Sequence, residues 1–207
     1  MRQPTRQTTK QLLRMSGHIG SLIPFALLLA DWGWGGFGVD PVREITLRTG
    51  KAAIILLLLS LAITPLKLLS GWNQLHPLRR LFGLYAFGYV VLHLLTFVWL
   101  DYGLNWAQIR EAIFEKRYAL VGFAAFLILL PLALTSTRWA MKKLGKRWAA
   151  LHKWVYVAAV LAVLHYALSV KQVYTQPLIV AIVLGLLLLA RWRPVRQRIV
   201  SWQRKGP

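Results

Sequence analysis

The chain has 207 residues, 57% of them hydrophobic and 15% charged, with a mean hydropathy of +0.51; this is too apolar for an ordinary soluble domain and suits a compact polytopic membrane protein. The net charge of +20 does not imply nucleic acid, because the basic residues collect in alternate gaps between apolar runs instead of forming one face or arm. The absence of cysteine excludes thiol catalysis, disulfides, Cys-ligated iron–sulfur clusters and covalent c-type haem.

Residues 1–15 form a basic segment, and the first apolar run follows at about 16–30. Together they have the outline of a signal peptide, but no A-x-A cleavage site follows and the Gly-rich, aromatic DWGWGGFG comes next, so an uncleaved first helix is expected. His18, in RMSGHIG, is read as reaching the headgroups, with a hydrogen bond to a quinone or flavin as the alternative. Further apolar runs occupy about 52–70, 80–100, 118–135, 150–170 and 176–191, which predicts an all-α, polytopic membrane helical bundle of about six transmembrane helices. The first and last runs are short and the fifth begins with mixed residues, so five spans result if one of these lies at the interface.

Charge orders the gaps. The N-terminal segment carries +4, the gap around 67–80 carries +3, the 136–153 gap carries +6 and the tail from Arg191 carries +6. The regions 31–51 and 101–117 are neutral, and the last short gap holds Lys171 alone. The positive-inside rule puts both termini in the cytoplasm and favours the even count. Trp32, Trp34, Trp99 and Trp106 gather at one expected boundary and Trp72, Trp139, Trp148 and Trp192 at the other, as amphipathic rings do at headgroup depth. The expected divisions are a cytoplasmic basic N-terminal segment (1–15), a transmembrane domain (16–191) and a cytoplasmic basic tail (192–207), in a multi-pass membrane protein.

Three of the five histidines fall where unpaired polar groups are costly: His93 in the third run, and His152 and His165 in the fifth. Imidazoles facing each other from neighbouring helices are a common way to hold a b-type haem, and capping of carbonyls is the alternative. Thirteen steps lead from His152 to His165, roughly 20 Å of helix, so they serve different levels. His93 and His165 share the outer depth and form the best axial pair. Arg79 lies fourteen residues before His93, close to four turns, and shares its helical face if the third span reaches back that far. It stays protonated and is suited to a haem propionate or a flavin phosphate. That leaves His152 as a lone ligand or requires His76 to bend inward; Pro77 makes His76 a loop group at a helix start.

All six acidic residues lie in or beside the expected outer loops, so no carboxylate is placed to carry protons at mid-membrane, and a transporter is disfavoured despite the irregularities that Pro24, Gly122 and Pro131 supply. No nucleotide fingerprint, P-loop or H-E-x-x-H occurs. If the chain moves electrons, it must receive them from a soluble reductase or a membrane quinone and pass them to something else.

The segments GVDPVREITLRTGKAA, ITPLK, RRLFGLYAF with VVLHLL, and LGKRWAALHKWVYVAAVLAVLHYALSVK together resemble the ferric-reductase-like transmembrane domain. Within it, they are similar to the haem-binding membrane subunits of bacterial methionine sulfoxide reductase systems. The resemblance covers nearly the whole chain. Relatives of that domain place two histidines on each of two helices; here the outer positions fall on His93 and His165, and the inner ones on Arg79 and His152. The resemblance thus implies one bis-histidine haem b site, and an inner site for a second haem or FMN. It further implies electron transfer from quinol, or a cytoplasmic flavin reductase, to a periplasmic MsrP-like molybdenum reductase. This chain would be an electron-transfer subunit rather than the catalytic one. A self-contained haem-dependent metal or oxygen reductase, and a non-redox scaffold or transporter, are the competing readings.

Overall fold

The computed structural model describes residues 6–170, 174–192, 194–195 and 197; Arg2, Lys171 and most of the basic tail lie outside them. Among the described residues the chain is helical throughout: α1 (Arg6–Trp34), α2 (Pro41–Ser70), α3 (His76–Leu95) prolonged by a π-helical turn (Thr96–Asp101), α4 (Trp106–Glu115), α5 (Arg117–Leu134), α6 (Arg138–Leu144), α7 (Lys146–Leu151), α8 (Val155–Ser169) and α9 (Thr175–Leu189). Short 3₁₀ turns at Asn73–Leu75 and His152–Trp154 lead into α3 and α8.

Five stretches are long and apolar enough to cross a membrane: Gln7–Trp34, Pro41–Ser70, Asn73–Asp101, Arg117–Leu134 and Lys146–Ser169. The chain is a multi-pass membrane protein. The apolar helix Thr175–Leu189 is shorter, about 22 Å at 1.5 Å per residue. Several helices extend beyond the apolar runs, because polar residues at their ends continue the backbone ladder through headgroup depth. α2 begins at Pro41 behind an N-cap in which the Asp40 carboxylate accepts from Arg43 N at 3.0 Å. It ends where Gly71 takes φ +70° and returns its N–H to Lys67 O, as an αL cap requires.

α2 is the central helix. Ala52, Ala53, Leu56, Leu57 and Leu61 pack with Ala86 and Tyr89 of α3, Ala159 of α8 and Leu184 of α9. Alanines at these contacts let the backbones approach, which is how helices associate where lipid removes the hydrophobic drive. α5 packs along α8.

The joint between α1 and α3 is polar. Pro24 interrupts α1, and nearby the buried Tyr89 hydroxyl accepts from Phe25 N at 3.0 Å while donating to Ser21 O at 2.8 Å. It therefore bridges an N–H and a carbonyl four residues apart beside a proline break, satisfying both where no water can.

The 101–117 region, read from sequence only as a neutral gap, contains α4. Asn105 caps it through Gln108 N at 3.2 Å, and the buried Ile109 and Ala112 give it an inner face as it packs on α5. The run was too short and too mixed to stand out; packing against α5 stabilises it.

Candidate functional site

α3 and α8 bring His93 and His165 together, with ring centres 5.9 Å apart and planes at 83°. Each ring is held by its outer nitrogen. His93 Nδ1–H donates to Thr46 O on α2 at 2.9 Å, and His165 Nδ1–H donates to Tyr118 O on α5 at 2.7 Å. Donation to a carbonyl puts the proton on Nδ1 and leaves the Nε2 lone pair bare, the tautomer a metal-ligating imidazole needs. With their rings 5.9 Å apart and each Nδ1 engaged by a carbonyl, these two imidazoles are the residues that would hold a haem.

Two glycines that the sequence reading did not assign to the site make these contacts available. Gly50 follows Thr46 by four residues and Gly122 follows Tyr118 by four, so each glycine leaves uncovered the carbonyl one turn earlier on its helix. A Cβ at Gly50 would lie 3.2 Å from His93 Cε1 and 3.3 Å from its Nδ1; one at Gly122 would lie 2.6 Å from His165 Nδ1 and 2.8 Å from its Cε1. The twin spacing, a glycine in or beside an apolar helix opposite each histidine, was visible in sequence but had no partner to give it meaning.

His152 lies in the 3₁₀ turn that joins α7 to α8, outside the regular part of the fifth apolar segment. Its Nδ1–H donates to Trp148 O at 3.1 Å, its ring stacks on Trp148 at 3.9 Å, and Nε2 is 3.4 Å from Ser136 Oγ. Arg79, on the first turn of α3, is near enough for its charge to act on His152. The α3 helix does extend back past Arg79, so Arg79 and His93 occupy one continuous helix.

Arg191 joins this level and was read from sequence only as tail charge. Its guanidinium donates to Tyr156 OH at 2.7 Å and to Leu61 O, its charge and that of Arg79 repel, and its buried Nε has no partner among the described residues. Burial pushes its pKa down, from a starting point so high that the charge remains. Arg79 and Arg191 with His152 make a cationic, imidazole-bearing cluster suited to an anionic group. His76 stands apart. It is exposed and lines a cavity of about 650 Å³ with Lys10, Trp72, Asn73 and Gln74, and no hydrogen bond or ring contact joins it to His152 among the described residues.

No group of three or more His, Cys, Asp or Glu side chains able to hold a metal ion occurs among the described residues; two axial imidazoles on a macrocycle require none. A haem held by both His93 and His165 would supply electron transfer rather than oxygen chemistry.

Comparison with known proteins gives the same direction. The family model described as ferric reductase like transmembrane component matches residues 49–163. A protein-methionine-sulfoxide reductase heme-binding subunit MsrQ from Rhodospirillum rubrum is 46% identical over 189 residues, covering 91% of both chains. Proteins of the same description from Xanthomonas campestris pv. campestris and Bordetella pertussis are each 42% identical, over 92% and 91% of this chain and 90% and 89% of their own. No solved structure matches.

Proposed function

The chain belongs to the ferric-reductase-like transmembrane family and, within it, to the MsrQ haem-binding subunits, and from this premise we propose that it carries electrons across the bacterial inner membrane to a periplasmic methionine sulfoxide reductase. The observation that carries the reading is the His93–His165 pair, 5.9 Å between ring centres, with each Nδ1 committed to a backbone carbonyl. His93 and His165 hold haem b through Nε2, and the Thr46 and Tyr118 carbonyls orient the rings and raise their basicity. When bound, the haem supplies a one-electron ferric/ferrous couple.

Arg79, Arg191 and His152 bind the anionic edge of a second cofactor at the inner level, either a haem with His152 as ligand or FMN through its phosphate. The donor is a hydroquinone, which becomes quinone with release of two protons and two electrons; a cytoplasmic flavin reductase is the alternative donor. The acceptor is an MsrP-like molybdenum enzyme, where two electrons and two protons convert a sulfoxide to a thioether and water. Both termini are cytoplasmic and Thr175–Leu189 forms a sixth span. This topology is supported by the basic residues at 67–80, 136–153 and beyond Arg191, and a helix of that length crosses with local thinning of the bilayer.

The test is haem and flavin content, with reduced-minus-oxidised spectra, of protein purified gently in detergent. His93→Ala and His165→Ala each remove the outer haem while leaving an inserted protein; normal haem spectra in both overturn the assignment. Sulfoxide reduction requires the periplasmic partner. Metal or oxygen reduction without it supports the self-contained reductase instead.

A further inference from the structure

Lys10, Arg14 and His18 recur at four-residue intervals on α1, which sets them one above another along a gently winding stripe. Each step is about 6 Å, so His18 lies a turn deeper than the last cation, in the apolar part of the helix. The imidazole is exposed on the outer surface of the bundle, near the start of the first apolar run. Its Nδ1 is 2.9 Å from the hydroxyl of Tyr85 on α3, and the two rings meet edge to face with centres 5.6 Å apart. Nothing pairs with Nε2 among the described residues. That leaves Nε2 free to meet a ligand at the bundle surface.

Helix adhesion does not account for the pair. One turn further along α3, Tyr89 already ties it to the backbone of α1 through two hydrogen bonds, and Gly17, next to His18, receives Leu78 and Leu81 of α3. The surface beside Tyr85 is open: a Cβ at Gly88, three residues on, would meet nothing within 4 Å.

We propose that His18 and Tyr85 form a binding site for the head group of a membrane quinone and its hydroquinone, entered sideways from the lipid between α1 and α3. This rests on the quinol-donor reading above. A quinone head is an uncharged ring whose two oxygens accept hydrogen bonds when oxidised and donate them when reduced. His18 meets both forms by tautomer exchange. With the Tyr85 O–H donated into Nδ1, Nε2–H donates to a quinone carbonyl; with Nδ1–H donated to the Tyr85 oxygen, Nε2 accepts from a hydroquinone O–H. A phospholipid head is the wrong occupant, because its phosphate stays at the level of Lys10 and Arg14. Tyr85 precedes His93 by eight residues on α3, about 12 Å along the axis, so one helix carries both the hydroxyl and the proposed haem-holding imidazole.

The experiment measures the dissociation constant of decylubiquinone, and of a short-chain menaquinone analogue, for the haem-loaded full chain in lipid nanodiscs. The haem spectrum of each variant serves as the check on folding. His18→Leu weakens binding at least tenfold and Tyr85→Phe about threefold, with haem spectra unchanged. Binding to both variants as tight as to wild type overturns the site while leaving the quinol donor standing. Failure of wild type to bind either quinone overturns the donor reading and the site with it. If His18→Leu does not fold, Tyr85→Phe decides, because it keeps the ring and removes only the hydroxyl.

Discussion

Replacing Gly122 by Ala places a methyl group 2.6 Å from His165 Nδ1, 2.8 Å from Cε1 and 3.1 Å from Cγ. Non-bonded heavy atoms rest at about 3.5–4.0 Å, so the imidazole must retreat by roughly 1 Å. The obstacle is a rigid ring against a helix backbone, not the end of a flexible chain. Such a retreat stretches the 2.7 Å bond from His165 to Tyr118 O beyond useful length. With the ring held in place by bound haem, overpacking costs the loaded state about 1–3 kcal/mol, whereas the helix propensity gained on going from Gly to Ala acts equally on haem-free and haem-loaded protein and cancels. The net, about 1–3 kcal/mol, corresponds to haem held roughly 5- to 150-fold more weakly. At Gly50 the added methyl lies 3.2–3.3 Å from the His93 ring, a few tenths of an ångström too close, which a small shift of the ring absorbs. The prediction is therefore an order: Gly122→Ala loses haem readily and Gly50→Ala stays near wild type. The assay is transfer of haem to an excess of apomyoglobin, followed in the Soret band. Equal retention by Gly122→Ala and wild type, or faster loss from Gly50→Ala, would refute the notch argument.

Tyr89→Phe strands Phe25 N–H and Ser21 C=O beside the Pro24 break, so thermal unfolding in detergent should move down by the equivalent of about 1–3 kcal/mol; an unchanged midpoint would show that α1 closes its own ladder there. Arg191→Leu should reduce retention of the inner cofactor and leave the outer haem spectrum intact, with Arg191→Lys giving little rescue because an ammonium cannot reproduce the guanidinium fork; equal flavin and inner-haem content in all three proteins would contradict this. Protein made under haem limitation should melt at a lower temperature than haem-loaded protein, as expected for any ligand that binds only the folded state. His165→Ala should melt at the same temperature whether or not haem was supplied, if the inner site is filled by flavin; a haem-dependent rise in that variant would indicate a second haem.

Much of the site was legible in the chain. Histidines at 93, 152 and 165 in apolar surroundings, with twelve residues between the last two, fix which imidazoles can share a depth, because helix rise is a constant and lipid makes polar residues costly. The same constraint marks the membrane-crossing stretches, and the alternation of basic and neutral gaps supplies the orientation argument. Tertiary structure alone decided what each imidazole does with its second nitrogen. The Thr46 and Tyr118 carbonyls lie 47 residues from their partners, and no local pattern reveals which carbonyl a distant helix will present. Gly50 and Gly122 acquire a role only when a ring is packed against them, Arg191 only when the end of α9 returns to Tyr156 and Leu61, and His18 only when α3 brings Tyr85 beside it. Composition and period depend on the solvent and on helix geometry, which act on every residue locally; a cofactor-ready tautomer or a lipid-facing pair depends on how separate helices meet, and that is settled by packing.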